Sequence, residues 1–198
     1  MPGSPPKTRR QRRMPRAERE IEMLRAAGEA FATNGFHEAS MEAIAEAAGI
    51  SKPMLYNYFG SKRGLYVAYV ERSGQLLIQS MRDAARRDAS AGDRLRAGIL
   101  AFLTYVEEHS AGWTVLHRET LAQGGPLAAE VSALRALVAS MLTTLLQDEA
   151  LAHAFAGAGE SLASWWLEHP QQSKQQITET LMGIAQLPAD PPFTRARV

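Results

Sequence analysis

The stretch SMEAIAEAAGISKPMLYNYFGSK, residues 40–62, decides the fold of this chain. Ser40 and Ser51 can each cap a helix by accepting a hydrogen bond from a free backbone amide. Gly49 follows the first run of helix-spaced apolar residues, at the position where helices often end with a glycine. Pro53 falls in the first turn of the second predicted helix, where its missing amide hydrogen costs little stability. The stretch therefore predicts two short helices separated by a tight turn, which is the pattern of a helix-turn-helix.

The second of these helices carries an unusual set of side chains. Leu55 and Phe59 are four residues apart, and we expect both to point into the core. The outward positions include Tyr56, Asn57 and Tyr58, and no acidic residue occurs within the helix. Hydroxyl and amide groups of this kind can contact phosphates and base edges, which favours a DNA-binding surface. The alternative is a helical corner with aromatic packing and no ligand.

Residues 16–71 resemble the DNA-binding domain of the TetR family of transcriptional regulators. The matching segments are IEMLRAAGEAF (21–31), NGF (34–36), IAEAAGIS (44–51) and LYNYFGSK (55–62). Met54 stands where the family often has Thr or Ser, and Asn57 stands where it often has His. The resemblance therefore implies the domain and its DNA-reading helix, but it does not transfer an operator sequence.

The predicted DNA contacts lie on or near this helix. We expect Tyr56 and Asn57 to contact base edges and Met54 to contact a thymine methyl group. The rest of the predicted set, expected mainly at phosphates, is Arg16, Ser40, Ser51, Lys52, Tyr58 and Lys62. Lys62 opens the next helix, where free amides and an ammonium group would bind a phosphate together. A plain surface lysine is the alternative for that residue.

The composition indicates an all-α chain. At 198 residues and 45% hydrophobic content it can hold a small domain fused to a larger one. Its lack of cysteine excludes disulfides and thiolate metal sites and fits an intracellular protein. Long proline-free stretches without an alternating apolar pattern predict about nine helices. No uninterrupted apolar run approaches the roughly 20 residues that cross a bilayer, so we expect no membrane partner.

The first 20 residues are strongly basic. They contain seven basic and two acidic residues, so they carry +5 while the whole chain carries +1. The segment at residues 1–15 also contains several prolines and little apolar surface, which predicts a disordered arm. We expect this arm to contact DNA beside the reading helix, with a solubilising tail as the alternative.

The resemblance implies a two-part layout. It places a DNA-binding domain at residues 16–71 and a ligand-binding and dimerisation domain at residues 72–187, with a flexible tail at residues 188–198. The first helix is predicted over residues 16–33, with Ile21 among its inward-facing residues. The later helices are predicted over about residues 61–89, 93–109, 113–122, 126–147, 149–168 and 173–186. Asp93 is expected to cap the second of these.

Small and large apolar residues alternate on the last two helices. Such a surface would let two helices of each subunit form an isologous four-helix interface. The predicted interface residues are Ala154, Ala158, Ser161, Leu162, Trp165, Ile177 and Leu181. The alternative is that these residues complete the core of one subunit.

Aromatic residues with a few polar neighbours could line a cavity for a small molecule. The candidates are Phe102, Tyr105, Trp113, His117, Met141 and Phe155. Ordinary core packing is the alternative for each of them. The sequence does not identify the ligand beyond a small apolar or amphipathic effector.

These patterns together predict a homodimeric, cytoplasmic repressor that lies on the nucleoid when it binds a palindromic double-stranded operator. An effector that fits only the non-binding spacing of the two DNA-reading units would release the operator. An architectural or ligand-independent DNA-binding protein is the alternative function. The chain contains no H-E-x-x-H, G-x-S-x-G, P-loop or dinucleotide-binding motif, so we expect neither enzyme activity nor a cofactor or metal.

Overall fold

The computed structural model describes residues 15–85, 89–121 and 128–185, and within them the regular structure is helical throughout. The helices are α1 (Arg16–Glu38), α2 (Met41–Ala47), α3 (Lys52–Phe59), α4 (Lys62–Ala84), α5 (Ala91–Glu108), α6 (Ser110–Leu121), α7 (Ala128–Leu146), α8 (Glu149–Glu168) and α9 (Lys174–Ala185). The all-α prediction is therefore confirmed. The predicted tail and residues 1–14 of the predicted arm lie outside the described residues.

The helix-turn-helix follows from local signals. The Ser40 hydroxyl accepts a hydrogen bond from the Ala43 amide at 3.4 Å, as predicted for a helix cap. Gly49 has φ +64°, the left-handed backbone that favours glycine after a helix. Ser51 occupies the cap position of α3, but its side chain makes no capping hydrogen bond, so that part of the prediction was wrong. Pro53 lacks an amide hydrogen, which removes one of the two donors that such a side chain normally reaches.

The first hydrophobic core joins α1, α2, α3 and the N-terminal half of α4, which we call the head. Its fully buried side chains include Met23, Phe31, Ile44, Leu55, Leu65 and Tyr66. The same core continues into α6 and α7 through Val115, Leu116 and Val131. The predicted domain division at residues 71 and 72 falls inside the continuous helix α4, and it stays a prediction.

The second hydrophobic core lies among the C-terminal half of α4 and helices α5 to α9, which we call the second unit. It contains Leu77, Leu103, Phe155 and Leu181. A buried polar contact joins the two cores, because the Ser73 hydroxyl is hydrogen-bonded to both Tyr69 of the first and Tyr105 of the second. Burial raises the pKa of both tyrosine hydroxyls, so both stay protonated near neutral pH.

The helical backbone of α1 is interrupted at Gly35 (φ +73°, ψ 174°), close to the predicted end of the first helix at residue 33, and a further short helical segment continues to Glu38. Other predicted helix details were wrong. Ile21 is 49% exposed, so it does not belong to the inward-facing residues of α1. Ser90 rather than Asp93 caps α5, and its hydroxyl accepts the Asp93 amide at 3.1 Å. Helix α6 begins at Ser110, so the break before it lies at His109 rather than at the predicted residues 110–112.

Helix α7 is more apolar than expected. Its segment Ala129–Leu146 is long and apolar enough to cross a membrane by length and composition, with a mean hydropathy of 1.4 and 17% of the segment buried. The segment contains Glu130 and Arg135, so it is not the uninterrupted apolar run of about 20 residues that the sequence was expected to lack. The helix packs against α4, α5, α6 and α8 in this fold. The absence of a membrane partner stays a prediction.

Candidate nucleic-acid interface and apolar cavity

Helix α3 presents Tyr56 and Asn57 outward near its middle and packs Leu55, Phe59 and part of Met54 against the head. Tyr56 is 40% exposed and Asn57 is also exposed, as required for base contacts. Leu55 is fully buried, and Phe59 is half-buried against the first core. Met54 is also half-buried against that core, so less of its side chain is available for a thymine methyl group than the sequence suggested.

Lys52 and Glu42 form an ion pair on the predicted DNA-binding side of the head. The Lys52 ammonium lies 2.9 Å from a Glu42 carboxylate oxygen, and both side chains are exposed. The hydrogen bond to Glu42 is the main cause of a raised pKa for Lys52, which therefore stays charged. A phosphate would have to compete with this carboxylate for the ammonium group. The sequence analysis did not identify Glu42 as a partner because the pair joins α2 to α3.

Tyr58 connects the first turn of α1 to α3. Arg19 Nη1 donates a hydrogen bond to the Tyr58 hydroxyl at 3.4 Å, and the Arg16 guanidinium lies 5.3 Å from the centre of the Tyr58 ring. Arg16 was in the predicted DNA-binding set, whereas Arg19 was missed. Their spacing of three residues on α1 was the available signal, since it puts both on one helix face. The predicted basic arm therefore joins the fold beside the reading helix.

Lys62 contacts the end of α1 in this structure. Its Nζ donates to the His37 carbonyl oxygen at 2.6 Å and lies 5.2 Å from the centre of the Phe36 ring. Ser61 caps α4 by accepting the Gly64 amide at 3.0 Å. The ammonium group thus has a protein acceptor, and its predicted phosphate contact remains a prediction. Ser40 and Ser51, also predicted to contact DNA, are both exposed.

An apolar cavity of about 110 Å³ lies between α4, α5, α6, α7 and α8. Five of the six predicted ligand-binding residues line it, namely Phe102, Trp113, His117, Met141 and Phe155. The Trp113 ring lies edge-on to the Phe102 ring, with 5.3 Å between the ring centres, and it stacks on the His117 ring, with 5.6 Å between the ring centres. Tyr105 is the exception, since it does not line the cavity and is buried beside Ser73. Helical spacing did not reveal which side of α5 faces the cavity, and a ligand contact by Tyr105 stays a prediction.

The cavity also contains polar atoms that the sequence analysis missed. Arg94 Nε and His117 Nδ1 are buried and have no hydrogen-bond partner within the described part of the chain. Arg135 and Glu160, which also line the cavity, are paired with each other at 2.9 Å. Unpaired buried polar atoms are costly, so a bound molecule with matching groups would be stabilised there. No sequence motif marks these residues, because they come together from four helices.

The predicted dimer residues fall into two groups. On α8, Ala154 and Ser161 are exposed, Ala158 and Leu162 are half-buried, and Trp165 is 41% exposed. On α9, Ile177 and Leu181 are 3% and 1% exposed, because both belong to the second core of their own subunit. Those two residues have little surface to offer a second chain, which corrects their inclusion. Within the described residues no group of three or more potential metal ligands occurs.

Two family profiles match this chain. The profile described as bacterial regulatory proteins of the tetR family matches residues 23–69, which contain the helix-turn-helix. The profile described as the tetracyclin repressor-like C-terminal domain matches residues 91–185. The two matches cover parts of both the head and the second unit.

Two curated relatives match part of the chain. The HTH-type transcriptional activator FasR of Mycolicibacterium smegmatis is 39% identical over 123 residues, which cover 62% of this chain and 56% of FasR. An uncharacterized HTH-type transcriptional regulator of Mycobacterium tuberculosis is 30% identical over 129 residues, which cover 64% of this chain and 63% of that relative. The chain thus spans somewhat more than half the length of these relatives.

Two solved structures have similar folds. The crystal structure of a TetR-like transcriptional regulator from Rhodococcus sp. RHA1 is 35% identical, with a TM-score of 0.79, and the alignment covers 87% of this chain and 96% of that one. A tetR-family transcriptional regulator from Streptomyces coelicolor is 26% identical, with a TM-score of 0.69, and the alignment covers 87% and 79% of the two chains. The resemblance noted in residues 16–71 therefore extends over most of the chain.

Proposed function

Because the chain belongs to the TetR family of transcriptional regulators, we propose that it is a ligand-responsive regulator that binds a palindromic operator as a homodimer. The observation that carries this proposal is the outer face of α3, where Tyr56 and Asn57 are exposed on a helix without an acidic residue. A face of this kind can enter the major groove without electrostatic repulsion from the phosphates. Proteins of this family are DNA-binding regulators rather than enzymes.

Each head would read one half of the operator. Tyr56 and Asn57 would contact base edges, with a smaller contribution from Met54. Phosphate contacts are assigned to Arg16, Ser40, Ser51, Lys52, Tyr58 and Lys62. The basic arm would add phosphate or minor-groove contacts beside α3, since Arg16 lies against Tyr58.

Dimerisation would use the outer face of α8. Trp165 is 41% exposed and provides the largest apolar area there, while Ala154, Ala158, Ser161 and Leu162 allow a close approach of a second helix. A two-fold arrangement of this face would pair α8 and α9 of one subunit with those of its partner. The two α3 helices would then meet half-sites about one DNA turn apart.

The effector would bind in the apolar cavity. The cavity walls suit an apolar or amphipathic molecule, and Arg94 Nε and His117 Nδ1 supply two positions for hydrogen bonds. The cavity of about 110 Å³ is smaller than one that binds benzene, about 150 Å³, so most effectors would have to enlarge it. Such an enlargement is the structural change that the effector would pass on to the heads.

We propose that the protein represses transcription and releases the operator when the effector binds. Activation is the second candidate, because the name of FasR, 39% identical over 123 residues, describes a transcriptional activator. Both outcomes use the same DNA-binding surface, and they differ in where the operator lies relative to the promoter. The protein would act in the cytoplasm and lie on the nucleoid when bound to DNA.

The test is selection of bound duplexes from a random DNA pool, followed by measurement of protein mass in solution. We expect a two-fold symmetric sequence, and a mass of two chains for the free protein. The architectural alternative predicts binding with little sequence preference, so the ratio of operator to random-DNA affinity separates the two functions. A protein that retains no duplex even at low ionic strength would contradict both.

A further inference from the structure

Helix α6 contacts the apolar cavity and the end of α1 through adjacent residues. His117 lines the cavity, where its ring stacks on Trp113 and its Nδ1 is buried without a partner in the described part of the chain. Arg118 points the other way and contacts the head. Its Nη1 donates to the Phe31 carbonyl oxygen at 3.2 Å, and its Nη2 donates to the Ala32 carbonyl oxygen at 3.1 Å. One helical turn therefore contacts both the candidate effector site and the DNA-binding unit.

The two carbonyl groups lie at a special place in α1. Gly35 interrupts the helical backbone three to four residues later, with φ +73° and ψ 174°. Arg118 thus donates to two carbonyl groups in the last turn before this interruption, where a helix end leaves carbonyl groups in need of donors. Its positive charge also suits the negative end of the helix dipole. Glycine suits position 35 because of its left-handed φ of +73°, and a Cβ atom there would lie in ordinary contact with Nη1, at 3.4 Å.

Helix α1 also sets the position of the reading helix. At its other end, Arg16 and Arg19 contact Tyr58 of α3. After the kink, Lys62 of α4 donates to the His37 carbonyl oxygen at 2.6 Å. The end of α1 is thus held by Arg118 from the second unit and by Lys62 from the start of α4.

We propose that Arg118 is a positioning residue that couples the occupancy of the cavity to the orientation of the head through α1. A molecule that displaces His117 must move the adjacent Arg118, because both belong to the same turn of α6. The guanidinium is a rigid planar fork that spans two carbonyl groups, so its displacement either carries α1 with it or breaks both hydrogen bonds. In each case the position of α3 relative to the cavity changes. This inference rests on the proposed function and adds the route of regulation to it.

The test uses a side chain in place of the unidentified effector. Gly98 lines the cavity, and a Cβ atom built there meets no other atom within 4 Å. Gly98→Leu therefore fills the cavity from inside, and Ala156→Leu fills it from α8 as a second variant in case the first fails to fold. Operator affinity is measured for each filled variant with Arg118 intact and with Arg118→Gln, as a double-mutant cycle.

With Arg118 intact, we expect filling to change operator affinity about tenfold, within the range typical of coupling between two sites. In the Arg118→Gln background we expect the same filling to change affinity less than about twofold. Arg118→Lys should resemble Arg118→Gln, since one ammonium cannot reproduce the planar fork over two carbonyl groups. Arg96→Gln is the matched control, because Arg96 is also on the second unit but pairs with Glu179. The full effect of filling should persist in that background.

Two results would overturn the inference. Filling that changes operator affinity equally with and without Arg118 would mean that coupling takes another route. Filling that changes nothing in the Arg118 background would mean that the cavity is not coupled to DNA binding. A protein that selects no operator at all would remove the proposed function and this inference with it, and the selection experiment identifies that case separately.

Discussion

The head and the second unit bury their apolar side chains in different ways. In the head, Phe31 contacts Tyr66 edge-on at 4.6 Å, and Phe36 lies 4.9 Å from the same ring. In the second unit, the helices surround a cavity of about 110 Å³, and polar atoms of Arg94 and His117 there have no hydrogen-bond partner among the residues that the structure describes. The head is packed to hold one shape, so that its outer face can read DNA. The second unit is packed less completely, and the space it leaves is where the proposed effector would bind.

The largest expected effect comes from removing a leucine from each region. Leu55→Ala should lower the free energy of unfolding by about 3–5 kcal/mol, because Leu55 is fully buried in the dense core of the head. Leu142→Ala, at a cavity wall, should cost about 2–3 kcal/mol, since its side chain has fewer neighbours to lose. Urea unfolding of both variants measures the difference. Equal losses would contradict the contrast in packing.

Substitution of two glycines by alanine should change the stability of the protein in opposite directions. A Cβ atom at Gly28 would lie 2.4 Å from three atoms of the Tyr69 side chain, so Gly28→Ala should destabilise the protein by about 1–3 kcal/mol. Gly98→Ala meets open space in the cavity and should stabilise α5 by about 0.5–1 kcal/mol, because alanine favours a helix interior. Thermal unfolding of the two variants gives both signs. A loss at both positions would argue against space beside Gly98.

A substitution on the outer face of the head should change DNA binding without changing stability. Asn57 is exposed, so Asn57→Ala should leave the unfolding temperature unchanged. It should relax base preference at one operator position by about 1–3 kcal/mol. Binding to operators altered one base pair at a time measures this. Uniform weakening over all sequences would assign Asn57 to the DNA backbone instead.

The Lys62→Ala variant tests whether a residue that stabilises the head also contacts DNA. If Lys62 binds a phosphate, Lys62→Ala should weaken binding to all sequences and reduce the salt slope by about 0.9 for each contact. Its hydrogen bond to the His37 carbonyl oxygen predicts a loss of stability as well. The salt dependence of operator affinity is compared with the unfolding temperature. A lower unfolding temperature with an unchanged slope would leave Lys62 a purely structural residue.

The smallest effect is expected at the surface of the second unit, between Arg96 and Glu179. The hydrogen bond from Arg96 is the main cause of a pKa of Glu179 below its ordinary value. A carboxyl group whose pKa is lowered by folding adds stability above its unfolded pKa and loses it as the pH falls through the folded pKa. Glu179→Gln should therefore lower the unfolding temperature slightly at neutral pH and not at all in acid. A difference that persists in acid would point to lost packing rather than lost charge.

Local signals made the head predictable. The Ser40 cap, the glycine at residue 49 and Pro53 each act within a few residues, so the helix-turn-helix could be placed from the sequence. Helix α8 was also predicted at its observed bounds, because Asp148 caps its start and Pro170 follows its end. The capping signals near α5 were misread, since Ser90 and Asp93 are both suitable caps.

Contacts between distant helices could not be predicted in the same way. Apolar spacing marks one face of a helix, but it does not show which neighbour covers that face, so Ile21 was placed in the core and Leu181 at a dimer interface. Five cavity residues were found because aromatic residues with polar neighbours are a composition signal. Arg94 was missed, because nothing in the sequence near it shows that its Nε is buried beside a cavity.

Helix α4 runs from Lys62 to Ala84 without a break, so its first half lies in the head and its second half in the second unit. A helix of 23 residues is about 34 Å long at 1.5 Å per residue. A tilt of about 6° at the cavity end would swing the opposite end by about 3.5 Å, close to the 3.4 Å rise between successive base pairs. Under the proposed function, a continuous rod of this length would turn a small angular change near the cavity into a misalignment of about one base-pair step along the duplex.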